Sequence, residues 1–398
     1  MHHELPYTLW GSEVNLTLPS LPPDSKMREM DEDSGDPIHG YFQTPQGKLH
    51  YRQYLPDNGG ANGGDGIKAV CIWQHGIHSH SGATVKLTHV TNADGSTSTT
   101  ASNPSSNSSC SNSYSYTNMG LFSRKFQSNQ IALYALDMLG HGFSEGKRFY
   151  IPNGDYTINR DGLESFARFV GETHENVPLF LMGDSYGGCL ALHVARMWQN
   201  HGMDHDKDNH DMMEPKSKSM PMSPPPKQFK GICINAPAII GDLPPLPIKL
   251  FLRHILAPLL PEYTPFFMPH PVPPERVWKD PEIRREHTSD QVKQRGLSAG
   301  GVPFCLGTAS GLVKAMESVQ SDIIPGFRVP FSVCHGTDDW GVKIEGTEFL
   351  VEHCETKQED REVRLVEGAY HDLMADPTRE ENLEFHIRFI LSRVNKLK

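Results

Sequence analysis

The pentapeptide Gly183-Asp184-Ser185-Tyr186-Gly187 joins two apolar runs of different character. The run before it, residues 179–182, has the length and composition of a buried strand, and the run after it, residues 186–199, is typical of a helix. Glycines at both ends of the pentapeptide allow a turn too tight for larger side chains. This feature predicts a strand that passes directly into a helix, with the serine raised above a sheet.

Strand-like and helix-like segments alternate along most of the chain, after a predicted hairpin at residues 41–55. The predicted strands are 68–74, 131–136, 179–182, 231–235, 330–334 and 363–366. The predicted helices are 118–129, 158–174, 186–199, 308–321, 344–356 and one that begins near 377. This alternation is typical of an α/β fold with a mostly parallel central sheet and helices on both faces.

Three kinds of segment interrupt this rhythm. Residues 1–38 are rich in Pro, Asp and Glu, and we expect them to be a disordered extension. Low-complexity insertions at about 90–115 and 202–227 divide the first part of the core, residues 39–241, and we expect the first insertion to be disordered. Residues 242–305 predict an inserted helical cap, and residues 306–398 complete the core.

The overall composition excludes several classes of protein. A formal net charge of −11 argues against a nucleic-acid-binding protein, which would present a basic face. The 7 cysteines have no CxxC spacing, so neither a disulfide framework nor a structural zinc site is expected. The His- and Asp-rich run within residues 201–211 is interpreted as a polar linker rather than a metal site. No signal peptide or membrane-spanning run is evident, which predicts a cytoplasmic protein.

The turn at Ser185 points to nucleophilic catalysis. A serine hydroxyl attacks only when a base takes its proton, and the free N–H groups at the start of the following helix favour a negatively charged oxygen. The alternative, an ordinary tight turn without a catalytic role, does not account for the strand before and the helix after the pentapeptide.

An acid and a base follow at the loops that such a fold uses. Asp338 and Asp339 come directly after a predicted strand, and the residues alone leave both open as the acid. His371 follows the last predicted strand and completes the chain order Ser, Asp, His. The backbone N–H groups of Ile77, after an early strand, and of Tyr186 are the candidate oxyanion donors. A strand-end turn with no catalytic role is the alternative for the loop at Ile77.

Together these segments resemble the monoacylglycerol lipase family of α/β hydrolases, including its plant lysophospholipase-like and caffeoylshikimate esterase-like branch. The segments that carry the resemblance are His75-Gly76-Ile77-His78-Ser79-His80-Ser81-Gly82, Asp137-Met138-Leu139-Gly140-His141-Gly142-Phe143-Ser144-Glu145-Gly146, Tyr150-Ile151-Pro152, His335-Gly336-Thr337-Asp338-Asp339 and Gly368-Ala369-Tyr370-His371. The resemblance covers residues 39–398 apart from the two insertions.

The resemblance implies a serine hydrolase that cleaves carboxylic esters of monoacylglycerols or lysophospholipids, without cofactor or metal, under a mobile cap. It places the acid at Asp339 and the substrate-contacting part of the oxyanion loop at His75, Gly76 and His78. The partner it implies is a small lipid ester. The apolar cap segment 247–256 is compatible with contact to a membrane surface and equally with packing over the active site.

Departures from the family pattern leave the substrate open. Tyr186 stands where the family usually has methionine, and its phenol is expected to narrow the acyl pocket. His78 replaces a glycine and is expected either to restrict the loop or to add a polar contact. An esterase of phenolic acids or an aminopeptidase would use the same triad, and a non-catalytic binding protein of the same fold is the alternative from another class.

Overall fold

The structure, a computed structural model, describes residues 37–56, 66–82, 86–91, 97–100, 112–203, 224–265, 273–288 and 303–395. The strands are β1 (Ile38–Thr44), β2 (Gly47–Tyr54), β3 (Ala69–Gln74), β4 (Lys86–Thr91), β5 (Thr97–Thr100), β6 (Asn112–Thr117), β7 (Ile131–Leu136), β8 (Leu179–Asp184), β9 (Phe229–Asn235), β10 (Phe331–Gly336) and β11 (Arg361–Val366). All six strands and the hairpin expected from the sequence are present, with boundaries shifted by a few residues.

The helices follow the expected alternation. They are α1 (Asn118–Ser128), α2 (Thr157–Thr173), α3 (Tyr186–Met203), α4 (Leu246–Phe251), α5 (Ala257–Leu259), α6 (Pro274–Val277), α7 (Pro281–Thr288), α8 (Leu306–Ser318), α9 (Glu345–His353) and α10 (Arg379–Asn395). A π-helical turn, Leu252–Leu256, links α4 to α5, and a second one, Val319–Ile323, extends α8.

Eight strands form the main sheet in the order β1-β2-β7-β3-β8-β9-β10-β11. The β1–β2 hairpin and the β2–β7 pair are antiparallel, and every pair from β7 to β11 is parallel. This confirms the predicted α/β class. Because the carboxyl ends of parallel strands lie at one edge of the sheet, the loops after β3, β8, β10 and β11 meet there.

Alternate residues of the central strands pack into two separate cores, one on each face of the sheet. In β3, Val70 and Ile72 contribute to one core, while Cys71 and Trp73 contribute to the other. Helices α2, α3 and α8 cover the first face, and α1 and α10 cover the second. Burial on both faces explains why these strands are continuous apolar runs in the sequence.

The cap lies between β9 and α8 and is helical in its described parts, α4 to α7. Its first part, from α4 to α5, faces α8. Its second part, α6 and α7, packs through Trp278 and Ile283 against Leu121 of α1 and Ala375. The cap therefore contacts the core on two sides rather than one.

Part of the first low-complexity insertion differs from the predicted disorder. Strands β4, β5 and β6 form a separate three-stranded antiparallel sheet in the order β5-β4-β6. Threonine and tyrosine recur in these strands and favour extended backbone, a preference that the low apolar content of the segment conceals. The predicted extension at residues 1–36 and the insertion at residues 204–223 lie outside the described residues.

Candidate active site

Ser185 occupies a strained turn between β8 and α3. Its backbone has φ of +55°, a region that non-glycine residues rarely adopt. A Cβ on Gly183 would lie 2.4 Å from the backbone of Gly187, and a Cβ on Gly187 would lie 2.2 Å from the carbonyl oxygen of Gln74 in β3. Both glycines are therefore required for the close approach, as the sequence pattern predicted.

The structure brings Ser185, His371 and Asp339 into one hydrogen-bonded array. His371 Nε2 lies 2.9 Å from Ser185 Oγ, and His371 Nδ1 lies 2.6 Å from Asp339 Oδ2. His371 comes from the loop after β11, and Asp339 comes from the loop after β10. The arrangement can draw a proton from the serine hydroxyl while the carboxylate orients the imidazole.

The structure separates the two adjacent aspartates that the residues alone left open. Asp339 is buried, and its Oδ1 accepts hydrogen bonds from the backbone N–H groups of Gly341 at 2.8 Å and Val342 at 2.9 Å. Asp338 is exposed. His335 Nε2 approaches Asp339 Oδ2 to 3.3 Å. The geometry therefore favours Asp339 as the partner of His371.

Opposite shifts of two pKa values follow from this pairing. Burial alone would raise the pKa of Asp339, but the charge of His371 and the hydrogen bonds from His335 and His371 hold it well below its usual value. Burial alone would lower the pKa of His371, but the Asp339 carboxylate raises it above 6.5. The pair therefore stabilises a positively charged imidazole at the position where a proton would be received.

The two candidate oxyanion donors, Ile77 and Tyr186, border the same cavity as Ser185. Gly76 brings the loop after β3 against Ser185, since a Cβ on Gly76 would lie 3.2 Å from Ser185 Cβ. Tyr186 is the first residue of α3, so its N–H has no partner within the helix. Both N–H groups thus belong to backbone segments that converge on Ser185.

The phenol of Tyr186, which was expected to narrow the acyl pocket, packs into the core of the protein. Its side chain is almost completely buried in the core on the α2 face of the sheet. Burial raises the pKa of the phenol, and Asn159 of α2 is the polar neighbour that opposes this shift. The residue that follows the nucleophile therefore contributes its backbone to the site and its ring to the core.

The residues predicted to contact substrate, His75, Gly76 and His78, lie in the loop after β3, and the two histidine side chains pack against protein. His75 is fully buried, with Nδ1 2.6 Å from the Gly76 carbonyl and Nε2 3.0 Å from the N–H of Met138, and burial lowers its pKa to about 4. His78 has φ of +62°, which explains why a glycine is usual there, and it packs edge-on against Phe304 at 4.6 Å. His75, Gly76 and His78 are not among the described residues that line the cavity. Their contact with substrate therefore stays a prediction, while the contacts described here support the loop beside Ser185.

A cavity of about 490 Å³ opens beside Ser185. Its walls come from the elbow, the loop after β9, the cap and α8. The apolar residues that line it include Ile77, Ala238, Leu243, Ile248, Leu252, Ala257, Phe304, Leu306, Leu312, Val313, Met316 and Val342. In the described part of the chain, the polar residues in its wall besides Ser185 and Tyr186 are Asp242, Lys249, Arg253 and Ser310.

A profile of the serine aminopeptidase S33 family (Hydrolase_4) matches residues 113–204 and 220–378, more than half of the chain. The chain belongs to this family. Within the described residues, no group of three or more His, Cys, Asp or Glu side chains is arranged to hold a metal ion. No described helix of this S33-family hydrolase is long and apolar enough to cross a membrane.

Known proteins similar to this hydrolase include several esterases. Caffeoylshikimate esterase of Arabidopsis thaliana is 23% identical over 354 residues, which cover 87% of this chain and 82% of the esterase. An uncharacterized abhydrolase domain-containing protein of Dictyostelium discoideum is 23% identical over 278 residues; the match covers 70% of this chain but only 25% of that protein. A soluble variant of monoglyceride lipase from Saccharomyces cerevisiae, solved in complex with a substrate analog, has a TM-score of 0.60 at 16% identity. That match covers 90% of this chain and 96% of the lipase. These likenesses confirm the fold and the family resemblance.

A cluster of hydrogen-bonded side chains next to Ser185 was not anticipated from the sequence. Asp184 accepts hydrogen bonds from Trp73 Nε1 at 3.1 Å and from Asn235 Nδ2 at 2.8 Å. Burial raises the pKa of Asp184 to about 7, and the nearby Asp372 adds to this shift. The Ser185 N–H also donates to the Asn235 carbonyl at 2.9 Å. Side chains at the ends of β3, β8 and β9 thus fix the elbow together.

The second part of the cap holds the loop that carries His371. Trp278 Nε1 donates to Asp372 Oδ2 at 2.7 Å, and the Asp372 N–H donates to the Val277 carbonyl at 3.2 Å. Lys279 Nζ donates to the Gly368 carbonyl at 2.9 Å. Sequence reasoning missed this tether because its partners are about ninety residues apart and have no shared motif. Trp278 and Asp372 therefore help to position the loop of His371.

We expect Trp278→Phe to loosen the base loop while leaving the ring packing in place. The change removes one hydrogen bond to a carboxylate, so the free energy of unfolding should fall by about 1–2 kcal/mol. Hydrogen exchange of the amides in residues 368–376 should accelerate, and kcat should fall severalfold with little change in KM. The matched control is Trp198→Phe, which removes an indole hydrogen bond to the Glu164 carboxylate at 2.9 Å in the core on the α2 face of the sheet, away from this loop. Equal exchange in both variants would contradict the tether.

Proposed function

We propose that this S33-family protein is a serine hydrolase that cleaves carboxylic esters of small lipids, monoacylglycerols or lysophospholipids, through an acyl-enzyme on Ser185. The observation that carries the proposal is the Ser185–His371–Asp339 array in the wall of a largely apolar cavity. Nucleophile, base and acid are within hydrogen-bonding distance, and an acyl chain would replace water against apolar walls. Monoglyceride lipase of yeast, which shares the fold, supports this choice of substrate.

In this mechanism His371 Nε2 accepts the proton of Ser185 Oγ as the oxygen attacks the ester carbonyl carbon. The carbonyl π electrons move to oxygen, and the N–H groups of Ile77 and Tyr186 donate hydrogen bonds to that oxyanion. Collapse of the intermediate breaks the bond to the alcohol, which takes the proton from His371. Water then repeats the sequence on the acyl-enzyme and releases the fatty acid.

An esterase of phenolic acids is the second candidate. The specific observation in its favour is that the match to Arabidopsis caffeoylshikimate esterase extends over 87% of this chain. A planar phenolic acyl group would leave much of the 490 Å³ cavity unfilled, whereas a flexible acyl chain can follow its apolar wall. Rates on a monoacylglycerol and a caffeoyl ester, measured on one preparation, separate the two candidates.

We propose in addition that the outer face of the first cap helix contacts a lipid surface. Six apolar side chains of residues 246–260 are exposed and do not line the cavity: Leu246, Leu250, Phe251, Ile255, Leu259 and Leu260. Leu246 is 61% exposed and Leu259 is 72% exposed. Monomeric soluble proteins rarely expose such a continuous apolar patch, and a lipid substrate has to be drawn from an aggregate or a membrane.

Substitution of the nucleophile tests the central proposal. We expect Ser185→Ala to reduce kcat/KM on a short-chain nitrophenyl ester by a factor of roughly 10⁴ or more, because both chemical steps pass through the serine oxygen. The variant should also lose covalent labelling by a fluorophosphonate probe while it keeps the parental melting temperature. Parental hydrolysis by the variant, or no labelling of the parent, would refute the proposal, and the latter would favour a non-catalytic binding protein.

The pH dependence follows from the raised pKa of His371. Only the neutral imidazole accepts a proton, so kcat/KM should fall as the pH decreases through a value above 6.5. Asp339→Asn removes the interaction that raises this pKa, so the acidic limb should move to lower pH and kcat should drop by about 10⁴. The matched control, Asp338→Asn, should leave the profile unchanged because Asp338 is exposed and separate from the array. A profile altered equally by both changes would contradict the assignment of Asp339.

Co-sedimentation with phosphatidylcholine vesicles tests the lipid contact. We expect the double variant Leu246→Glu/Leu259→Glu to bind vesicles at least about tenfold more weakly, since burial of each leucine contributes roughly 1.5–3 kcal/mol when complete. Neither side chain lines the cavity, so hydrolysis of a dissolved nitrophenyl ester should be unchanged. Undiminished vesicle binding, or a parental protein that associates with itself through this face instead, would count against the lipid surface.

A further inference from the structure

Two cationic side chains interrupt the otherwise apolar inner wall of the cap. Lys249 of α4 and Arg253 of the following π-helical turn both line the cavity that contains Ser185. They are four residues apart and lie beside Ile248 and Leu252, which line the same cavity. Residues at this spacing share one face of a helix, so both charges belong to the same part of the cavity wall.

A single carboxylate serves both cations. Glu317 of α8 accepts a hydrogen bond from Lys249 Nζ at 3.1 Å through Oε1, and it accepts another from Arg253 through Oε2. Burial alone would raise the pKa of Glu317, but these two hydrogen bonds lower it, so the carboxylate stays ionised at neutral pH. Two positive charges against one negative charge leave one positive charge in excess.

Among the described residues, the other charged side chain in the cavity wall is Asp242, and it does not cancel this excess. Asp242 has its own counter-ion, Lys343, with 3.7 Å between Nζ and Oδ1, and both are largely exposed. Lys249, Arg253 and Glu317 are more protected, with side-chain exposures of 22%, 28% and 34%. Electrostatic attraction is stronger where water is partly excluded, so the excess charge acts mainly within the cavity.

The excess positive charge at Lys249 and Arg253 contrasts with the negative net charge of the whole chain. The chain carries a formal net charge of −11, so an anionic ligand would be repelled by the protein as a whole and attracted at this place. A neutral glycerol head group would leave the excess charge without a partner. The guanidinium of Arg253 offers paired N–H donors that match a phosphate, and Lys249 adds a second donor.

We propose that Lys249 and Arg253 form a phosphate subsite, so that the substrate is a lysophospholipid with an anionic glycerophosphate head group rather than a monoacylglycerol. This rests on the ester hydrolysis proposed above and specifies its substrate. The ester carbonyl lies at Ser185 and the acyl chain lies against the apolar wall formed by α8. The phosphate lies at the two cations, where it shares them with Glu317.

The experiment compares two esters with the same decanoyl chain, 1-decanoyl-glycerol 3-phosphate and 1-decanoyl-glycerol, both below their critical micelle concentrations. The measured quantity is the ratio of kcat/KM for the phosphate ester to that for the neutral ester. The parent should favour the phosphate ester, and added NaCl should reduce the ratio because salt screens the attraction. Arg253→Gln should lower the ratio by about tenfold, as expected for one charge-assisted bidentate contact.

Glu317→Gln gives the opposite test, because it removes the competing carboxylate and raises the excess charge. Its ratio should rise severalfold, an effect that a loss of structure would not produce. The matched controls are Arg328→Gln and Glu355→Gln, which make the same charge changes in an exposed ion pair at the far end of β10. These two variants should keep the parental ratio.

The outcomes separate this proposal from the proposed function. If the parent cleaves a nitrophenyl ester but the ratio is the same in Arg253→Gln, Glu317→Gln and the controls, the phosphate subsite is wrong and ester hydrolysis stands. If the parent cleaves no ester at all, the function itself is wrong. Competitive inhibition by inorganic phosphate that is equal in the parent and in Arg253→Gln would place the anion elsewhere and also overturn the subsite.

Discussion

The close contact between the turn after β8 and the end of β3 is the constraint on which the rest of the site depends. Gly187 lies against the carbonyl of Gln74, and Gly76 lies against Ser185, so Ser185 and the loop after β3 are held together by backbone packing. The positive φ of Ser185 costs about 1–3 kcal/mol, which the two buried cores on either side of the sheet can offset. The strain is therefore supported by central strands and not by a flexible loop.

A buried carboxylate below the site extends this support to the oxyanion loop. Asp137, after β7, accepts hydrogen bonds from the N–H of Ser81 at 2.5 Å and the N–H of Phe143 at 3.0 Å, and it pairs with His50 at 2.7 Å. Burial alone would raise the pKa of Asp137, but the hydrogen bond from His50 and the charge of Arg52 keep it well below its usual value. An ionised buried group of this kind is stable only while its partners stay in place. The loop after β3 is thereby tied to the loop after β7.

The sequence predicted the sheet and the positions of Ser185 and His371 because local patterns encode both. Buried parallel strands are continuous apolar runs, and the tight turn needs glycines at fixed spacing, so each leaves a mark that one sequence shows. The choice between Asp338 and Asp339 needed the resemblance or the structure, because adjacent residues share the same local signal. The surroundings of His75 and His78 were not predictable, because side-chain direction in an irregular loop follows from tertiary packing, here against Met138 and Phe304.

The sequence predicted the cap as an insertion, but it did not reveal that the two parts of the cap make different contacts. Its first part, from α4 to α5, forms the cavity wall and presents Lys249 and Arg253 to Glu317. Its second part, around Trp278, holds the loop of His371. Since one inserted segment both lines the cavity and contacts the loop of His371, the shape of the cavity and the position of the imidazole have a common support. The Ser185 turn is held instead by β3 and β9.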